Sequence, residues 1–294
     1  MTVRALPRPV SPFADLVALT KPRLSSLVLC TLAGGMWLAP GELSLSRWVA
    51  TLLGTAGTVG AANALNCWIE RDRDGLMART RARPLPSGRM EPGVALGFGL
   101  ALAVFSLPLL ALGSNGLTGS LGLLALVSYV AAYTPLKPLS PGAMLVGGIP
   151  GSLPPLMGWT AVTGQIGAGG LALFAILFAW QMPHFLAIAL FRKDEYRKAG
   201  YRALPLVSGE HATRIWMLLW TVVLVGVSVL PVPLGMARPL YLGAALVLGG
   251  VFLALVTRGV VRREGKAWAR QTFLFSLVYL TGLFAALLVS ARAH

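Results

Sequence analysis

The sequence predicts an all-α fold: a polytopic membrane protein built as a nine-transmembrane-helix bundle, with the N-terminus cytoplasmic and the C-terminus external. Three observations predict it. Apolar residues make up 56% of the 294 residues and charged residues only 12%, with a mean hydropathy of +0.73; a soluble domain carries roughly 25% charged residues. The apolar residues gather in runs near the roughly 20 that a helix needs to cross a bilayer. The basic residues fall between those runs, as membrane topology requires.

The predicted spans, in order, are Leu24–Ala39, Trp48–Ile69, Gly93–Leu112, Leu117–Tyr133, Gly142–Val162, Gly167–Phe191, Thr213–Leu234, Leu240–Thr257 and Gln271–Val289. The first and fourth are short, which leaves a merged or re-entrant span open. The fifth is interrupted by Gly147, Gly148, Pro150, Gly151, Pro154 and Pro155, and the sixth by Pro183. Irregular backbone at membrane depth is tolerated only where it is buried or lines a cavity.

Charge orients the spans. With a cytoplasmic N-terminus, all but three of the 25 lysines and arginines fall on the cytoplasmic side; Arg47, Arg238 and Arg292 are the exceptions. The net charge of +15 therefore reads as topology, with the lipid bilayer as partner and no nucleic acid. The first 20 residues carry Pro7, Pro9, Pro12 and Asp15 and no apolar core, so they predict a cytoplasmic tail and no cleavable signal. A bacterial plasma membrane is the expected location. Cys30 and Cys67 lie in apolar surroundings and predict packing roles. The whole chain, 1–294, reads as one membrane-embedded domain with two long charged loops, near 70–92 and 192–212. These loops hold seven of the ten acids and follow even-numbered spans, a pattern compatible with an internal duplication.

Five constellations carry chemistry. Asn66, Glu70 and Asp74 are spaced i, i+4, i+8 at the end of the second span, so a helix puts them on one face. Such a row of amide and carboxylate oxygens suits a hard divalent cation, and Mg²⁺ prefers one or two carboxylates plus substrate phosphates. A solvated helix end paired to nearby arginines is the plainer reading, but Asn63 and Asn66 are polar inside an apolar span, where polarity is costly. Arg79, Arg81 and Arg83 follow, stiffened by Pro84 and Pro86. Guanidinium forks bind phosphate oxygens, so beside the acids they suit a diphosphate, although topology alone explains several of them.

Asp194, Glu195 and Tyr196 form a second acidic cluster after the sixth span, among Arg192, Lys193 and Lys198. A mixed-charge loop is more often only solvated. Trp180-Gln-Met-Pro-His184-Phe185 lies inside the sixth span, and an ionisable residue at that depth is a functional candidate. His184 suits ligation of haem iron, stabilisation of charge, proton shuttling or a hydrogen bond to a neighbouring helix. Lys137 ends Tyr133-Thr-Pro-Leu-Lys137 on the same side as the first acidic row.

At these residues the sequence resembles the haem-farnesylating branch of the UbiA-type intramembrane prenyltransferases, the haem O synthase family. The resemblance runs from Leu19-Thr-Lys-Pro-Arg23 to about Gly209 and fits the nine-span plan to the end. Asn66-x-x-x-Glu70-x-x-x-Asp74 stands at the superfamily's first acidic motif, with Glu in the middle place. Arg79-Thr-Arg-Ala-Arg83-Pro-Leu, Tyr133-Thr-Pro-Leu-Lys137 and Trp180-Gln-Met-Pro-His184-Phe resemble the haem-specific branch. The second motif departs from the pattern: Glu195-Tyr196 replaces an Asp-Tyr pair, and Arg202 stands where proline is usual.

The resemblance implies transfer of a farnesyl group from farnesyl diphosphate to a vinyl group of haem b, with water addition, giving haem O and diphosphate. It implies Mg²⁺ held by Asn66, Glu70, Asp74 and Glu195, diphosphate bound by Arg79, Arg83 and Lys137, and a haem-side role for His184. It also implies a possible partner in haem A synthesis or oxidase assembly. Two rivals stay open. A relative using an aromatic quinone precursor keeps the carboxylates and arginines without needing His184. A transporter shares the broken helices but has less use for acids beside an arginine-rich loop.

Overall fold

The computed structural model describes residues 11–291; Arg4, Arg8, Arg292 and His294 lie outside them. The regular elements there are helices, with one isolated antiparallel bridge, Ala237 to Ala291. In order they are α1 (Pro12–Leu19), α2 (Pro22–Leu38), α3 (Leu45–Gly75), α4 (Pro92–Gly113), α5 (Gly116–Leu136), α6 (Ala143–Thr163), α7 (Ala168–Phe191), α8 (Lys193–Lys198), α9 (Leu204–Val207), α10 (Gly209–Ser228), α11 (Pro239–Val261) and α12 (Lys266–Ser290).

Each predicted span overlaps one of these helices, though the seventh, Thr213–Leu234, runs past the end of α10 at Ser228. Among the described residues, α4, α5, α7, α10, α11 and α12 are long and apolar enough to cross a membrane. The pair α1 and α2, bent by 46°, makes a seventh if it is one broken span. Taken alone, α2 has only 17 residues. The α3 and α6 helices have the length, at 31 and 21 residues, and fall short on composition: the apolar stretch of α3 is diluted by Gly, Thr and Asn, and α6 is rich in Gly and Pro. The outward faces carry large apolar side chains such as Val104, Phe105, Leu112, Leu240, Val247 and Val289, a surface suited to lipid and not to water.

Small residues set the close packing, as is common between helices in membranes. The α2–α6 crossing depends on Gly35 and Gly158: a Cβ at the first would meet the Pro155 carbonyl oxygen and at the second that of Leu32. One core gathers Leu173, Ile176, Met217, Tyr241, Phe252 and Tyr279 from α7, α10, α11 and α12. Another gathers Leu32, Met36, Leu110, Leu153 and Met157 from α2, α4 and α6. Cys67 packs as expected; Cys30 does not, because its face of α2 turns outward.

Two irregularities position the site. Lys21, between α1 and α2, has a left-handed backbone (φ 50°), which lets the chain turn sharply ahead of Pro22. In α5, residues Ser128–Tyr133 form a π-helical turn. Pro135 offers no N–H and its ring crowds the preceding carbonyls, and the Thr134 N–H reaches back to Tyr129 O instead. The widened turn resets the register, so Thr134 and Lys137 both face α3. Such π-bulges are frequent at functional sites.

Candidate active site

The oxygen row is built by one feature of α3: the helix runs unbroken from its apolar stretch through Glu70 and Asp74 before ending at Gly75. Asn66, Glu70 and Asp74 are all buried. Each meets a cation from a different segment. Lys21 Nζ donates to Asn66 Oδ1 at 2.8 Å, Lys137 Nζ to Glu70 Oε1 at 2.8 Å, and Arg83 Nη1 to Asp74 Oδ2 at 2.5 Å. Asn66 Nδ2 donates in turn to Thr134 Oγ1 at 3.2 Å, which fixes its oxygen toward Lys21. Three cations from three segments therefore meet three oxygen-bearing side chains along the end of one helix.

Electrostatics follow from this crowding. Burial alone would raise the Glu70 carboxyl, but Lys137 beside it, with Lys21 and Asn66, outweighs that and holds it below the usual range. Burial pushes the Lys21 ammonium down. Burial works the same way on Lys137, yet the surrounding tyrosines and Glu70 overcome it and raise the ammonium well above the usual value. The Lys137 ammonium lies 5.2 Å from the ring centroids of both Tyr133 and Tyr201, a cation–π arrangement.

The arginine loop folds back under the row. Thr80 Oγ1 donates to Asp74 O at 2.7 Å, and a run of turns carries Arg83 to the carboxylate. Arg89 grips the buried Asp15 of α1, with Nη2 3.0 Å from Oδ1 and Nε 3.2 Å from Oδ2, which anchors the far end of the loop. Arg79 is exposed and makes no hydrogen bond among the described residues; its charge acts on Tyr196.

The second charged loop reaches the same place through Tyr201. Gly200, at φ 70°, takes a left-handed turn that a side chain would strain, and the Tyr201 N–H closes it onto Tyr196 O at 3.0 Å. The Tyr201 hydroxyl then donates to Glu70 Oε1 at 3.2 Å. Tyr196 stands edge-on to Tyr201, and both pack with Met77 and Ala199. Glu195 pairs with Arg192 at 2.6 Å, while its Oε2 is buried with no hydrogen-bond partner. Asp194 is exposed and, among the described residues, pairs only with Arg197.

His184 forms a separate centre, linked by no hydrogen bond to the oxygen row. It is buried between Trp180, stacked at 4.6 Å, and Phe273 at 4.8 Å, with Nδ1 2.7 Å from Ser276 Oγ. Gln181 and Asn63 turn out to serve packing. Gln181 Nε2 donates to Ser152 Oγ and Gly148 O of α6, and Asn63 Nδ2 to Thr20 O and Ser25 Oγ. Sequence reasoning assigned no role to Lys21, Thr134, Tyr201 or Ser276; Lys21 and Thr134 carried a signal, since they lie in Leu19-Thr-Lys-Pro-Arg23 and Tyr133-Thr-Pro-Leu-Lys137.

Residues 27–278 match the UbiA prenyltransferase family. The chain belongs to that family. Its UbiA-family relatives include the protoheme IX farnesyltransferase of Myxococcus xanthus, 64% identical over 274 residues and 93% of each chain. The protein of the same name from Anaeromyxobacter dehalogenans is 55% identical over 287 residues, 98% of this chain and 97% of that one. The UbiA fold is also that of a digeranylgeranylglyceryl phosphate synthase structure, with a TM-score of 0.82 at 16% identity, covering 95% of this chain and 98% of that one. A UbiA homologue from Archaeoglobus fulgidus bound to GPP and Mg²⁺ matches with a TM-score of 0.59 at 16% identity, covering 93% and 99%.

Proposed function

We propose that this chain is a protohaem IX farnesyltransferase. It transfers the farnesyl group of farnesyl diphosphate to a vinyl group of haem b, with water addition, giving haem O and diphosphate. The observation that carries the reading is the Asn66–Glu70–Asp74 row met by Lys21, Lys137 and Arg83, within a chain 64% identical to a protein of that name.

The residues fit Mg²⁺. The donors are all oxygen, and Glu195 Oε2 is a buried acceptor without a partner. Among the described residues no group of three or more His, Cys, Asp or Glu could hold an ion unaided. Mg²⁺ is commonly bound through one or two carboxylates together with substrate phosphates. Asn66, Glu70 and Asp74 would hold it, with Glu195 from the second loop. When bound, it neutralises the leaving diphosphate as a Lewis acid. Arg83, Lys137 and Lys21 exchange their carboxylate and amide partners for diphosphate oxygens, and Arg79 adds its guanidinium from the rim. This stabilises charge where it develops. The C–O bond of the prenyl diphosphate ionises, the haem vinyl carbon attacks the allylic cation, and water captures the new cation with loss of a proton. His184 serves the haem side.

Both substrates carry a polar head and an apolar body, which favours a site at helix ends in one membrane face. The nine-span arrangement with a cytoplasmic N-terminus, one domain spanning the chain, and residence in the plasma membrane complete the proposal. Handing haem O to haem A synthesis or oxidase assembly is the partner relationship it implies. The acceptor tests the reading. Purified protein supplied with farnesyl diphosphate should release diphosphate with haem b and not with an aromatic quinone precursor; the reverse preference would assign it to another branch of the family.

A further inference from the structure

Ser276 lies on α12, 92 residues from His184, and holds the imidazole through a chain of two short contacts. Its Oγ is 2.7 Å from His184 Nδ1 and 2.6 Å from the backbone oxygen of Phe273. A serine has one proton to give, and a carbonyl has none. Two oxygens at 2.6 Å repel unless a proton lies between them, so the hydroxyl proton goes to Phe273 O. The histidine contact must then be supplied by the ring: Nδ1 carries hydrogen and donates to Oγ. In a neutral imidazole this leaves Nε2 with its lone pair, and no hydrogen-bond partner reaches Nε2 among the described residues. The ring cannot easily turn away. Trp180 stacks on it and Phe273 packs tilted against it, and Trp180 Nε1 donates to the Ser276 carbonyl at 2.6 Å, tying both residues to the same turn of α12.

A buried imidazole whose one N–H is held by a hydrogen-bonded oxygen while the other nitrogen stays bare is the arrangement by which proteins present histidine to a metal. We propose that Ser276 is a positioning residue of the haem subsite. It locks His184 in the Nδ1–H tautomer and so presents Nε2 to the iron of the haem substrate. This rests on the haem-side reading of His184 and chooses iron ligation over cation stabilisation.

The test compares Ser276→Thr with Ser276→Val in the full-length protein. The two side chains are close in size and differ in the hydroxyl. Haem b is titrated and followed by its Soret band, with KM for each substrate measured alongside. Threonine should keep the parent spectrum and affinity. Valine should weaken haem binding about 10-fold, as loss of an outer-shell partner does, and shift the Soret band, leaving KM for farnesyl diphosphate unchanged. Parent-like haem binding in Ser276→Val, with His184→Ala defective, would overturn the role of Ser276 and leave that of His184 standing. Parent-like binding and turnover in His184→Ala would instead remove the haem-side reading itself. Should the α12 variants fail to fold, a histidine ¹⁵N spectrum of the parent decides, with His184 assigned through His184→Ala: protonation at Nδ1 supports the proposal, and protonation at Nε2 overturns it.

Discussion

Tyr201 donates its hydroxyl to Glu70 Oε1 across 3.2 Å, and so joins the second charged loop to the first. The same carboxylate oxygen accepts from Lys137.

Tyr201→Phe should keep the Tyr196 and Met77 packing and lose only the hydroxyl. One hydrogen bond to a charged group contributes roughly 1.5–3 kcal/mol, so KM for farnesyl diphosphate should rise about 10-fold with thermal stability nearly unchanged. Unchanged KM would make the contact incidental to substrate binding.

Asp74→Asn keeps the shape of the row and removes a charge. Turnover should fall by about 10²–10³, the range for losing one electrostatic stabiliser of a transition state, and the parent should stop in chelator. Near-parent rates under either condition would sink the metal role.

Lys21→Met and Arg83→Ala each remove a cation from the row. Both should raise KM for farnesyl diphosphate more than KM for haem. Arg83→Ala also leaves Asp74, whose side chain is 2% exposed, without its partner, and losing half of a buried pair costs about 3–5 kcal/mol. A lowered Tm is expected for it and not for Lys21→Met, whose partner is a neutral amide. A larger effect on haem KM would reassign these cations to the haem propionates.

The apolar runs told where most helices lie, because membrane length and composition leave few alternatives. They also placed Asn66, Glu70 and Asp74 on one face, since helical spacing alone requires it. The breaks were harder to read. The π turn that brings Thr134 and Lys137 together over α3, next to Pro135, was not read from the sequence. Lys21 looked like one more topology charge; only its left-handed backbone turns it toward Asn66. Tyr201 and Ser276 gave no signal, because their partners are 131 and 92 residues away and neither sits in a recognisable pattern. Gln181 was legible as a polar residue at depth, but its three hydrogen bonds to α6 and α7 are packing, which spacing could not distinguish from chemistry.

The central claim is that one pocket ionises a prenyl diphosphate and delivers the chain to haem. Its most direct test is the mass of the product formed when the purified protein, reconstituted in lipid with Mg²⁺, receives haem b and farnesyl diphosphate. The account predicts haem b enlarged by one farnesyl group and one hydroxyl, with one diphosphate released per product. Unaltered haem b, with the farnesyl group hydrolysed to free alcohol or left on its diphosphate, would contradict it.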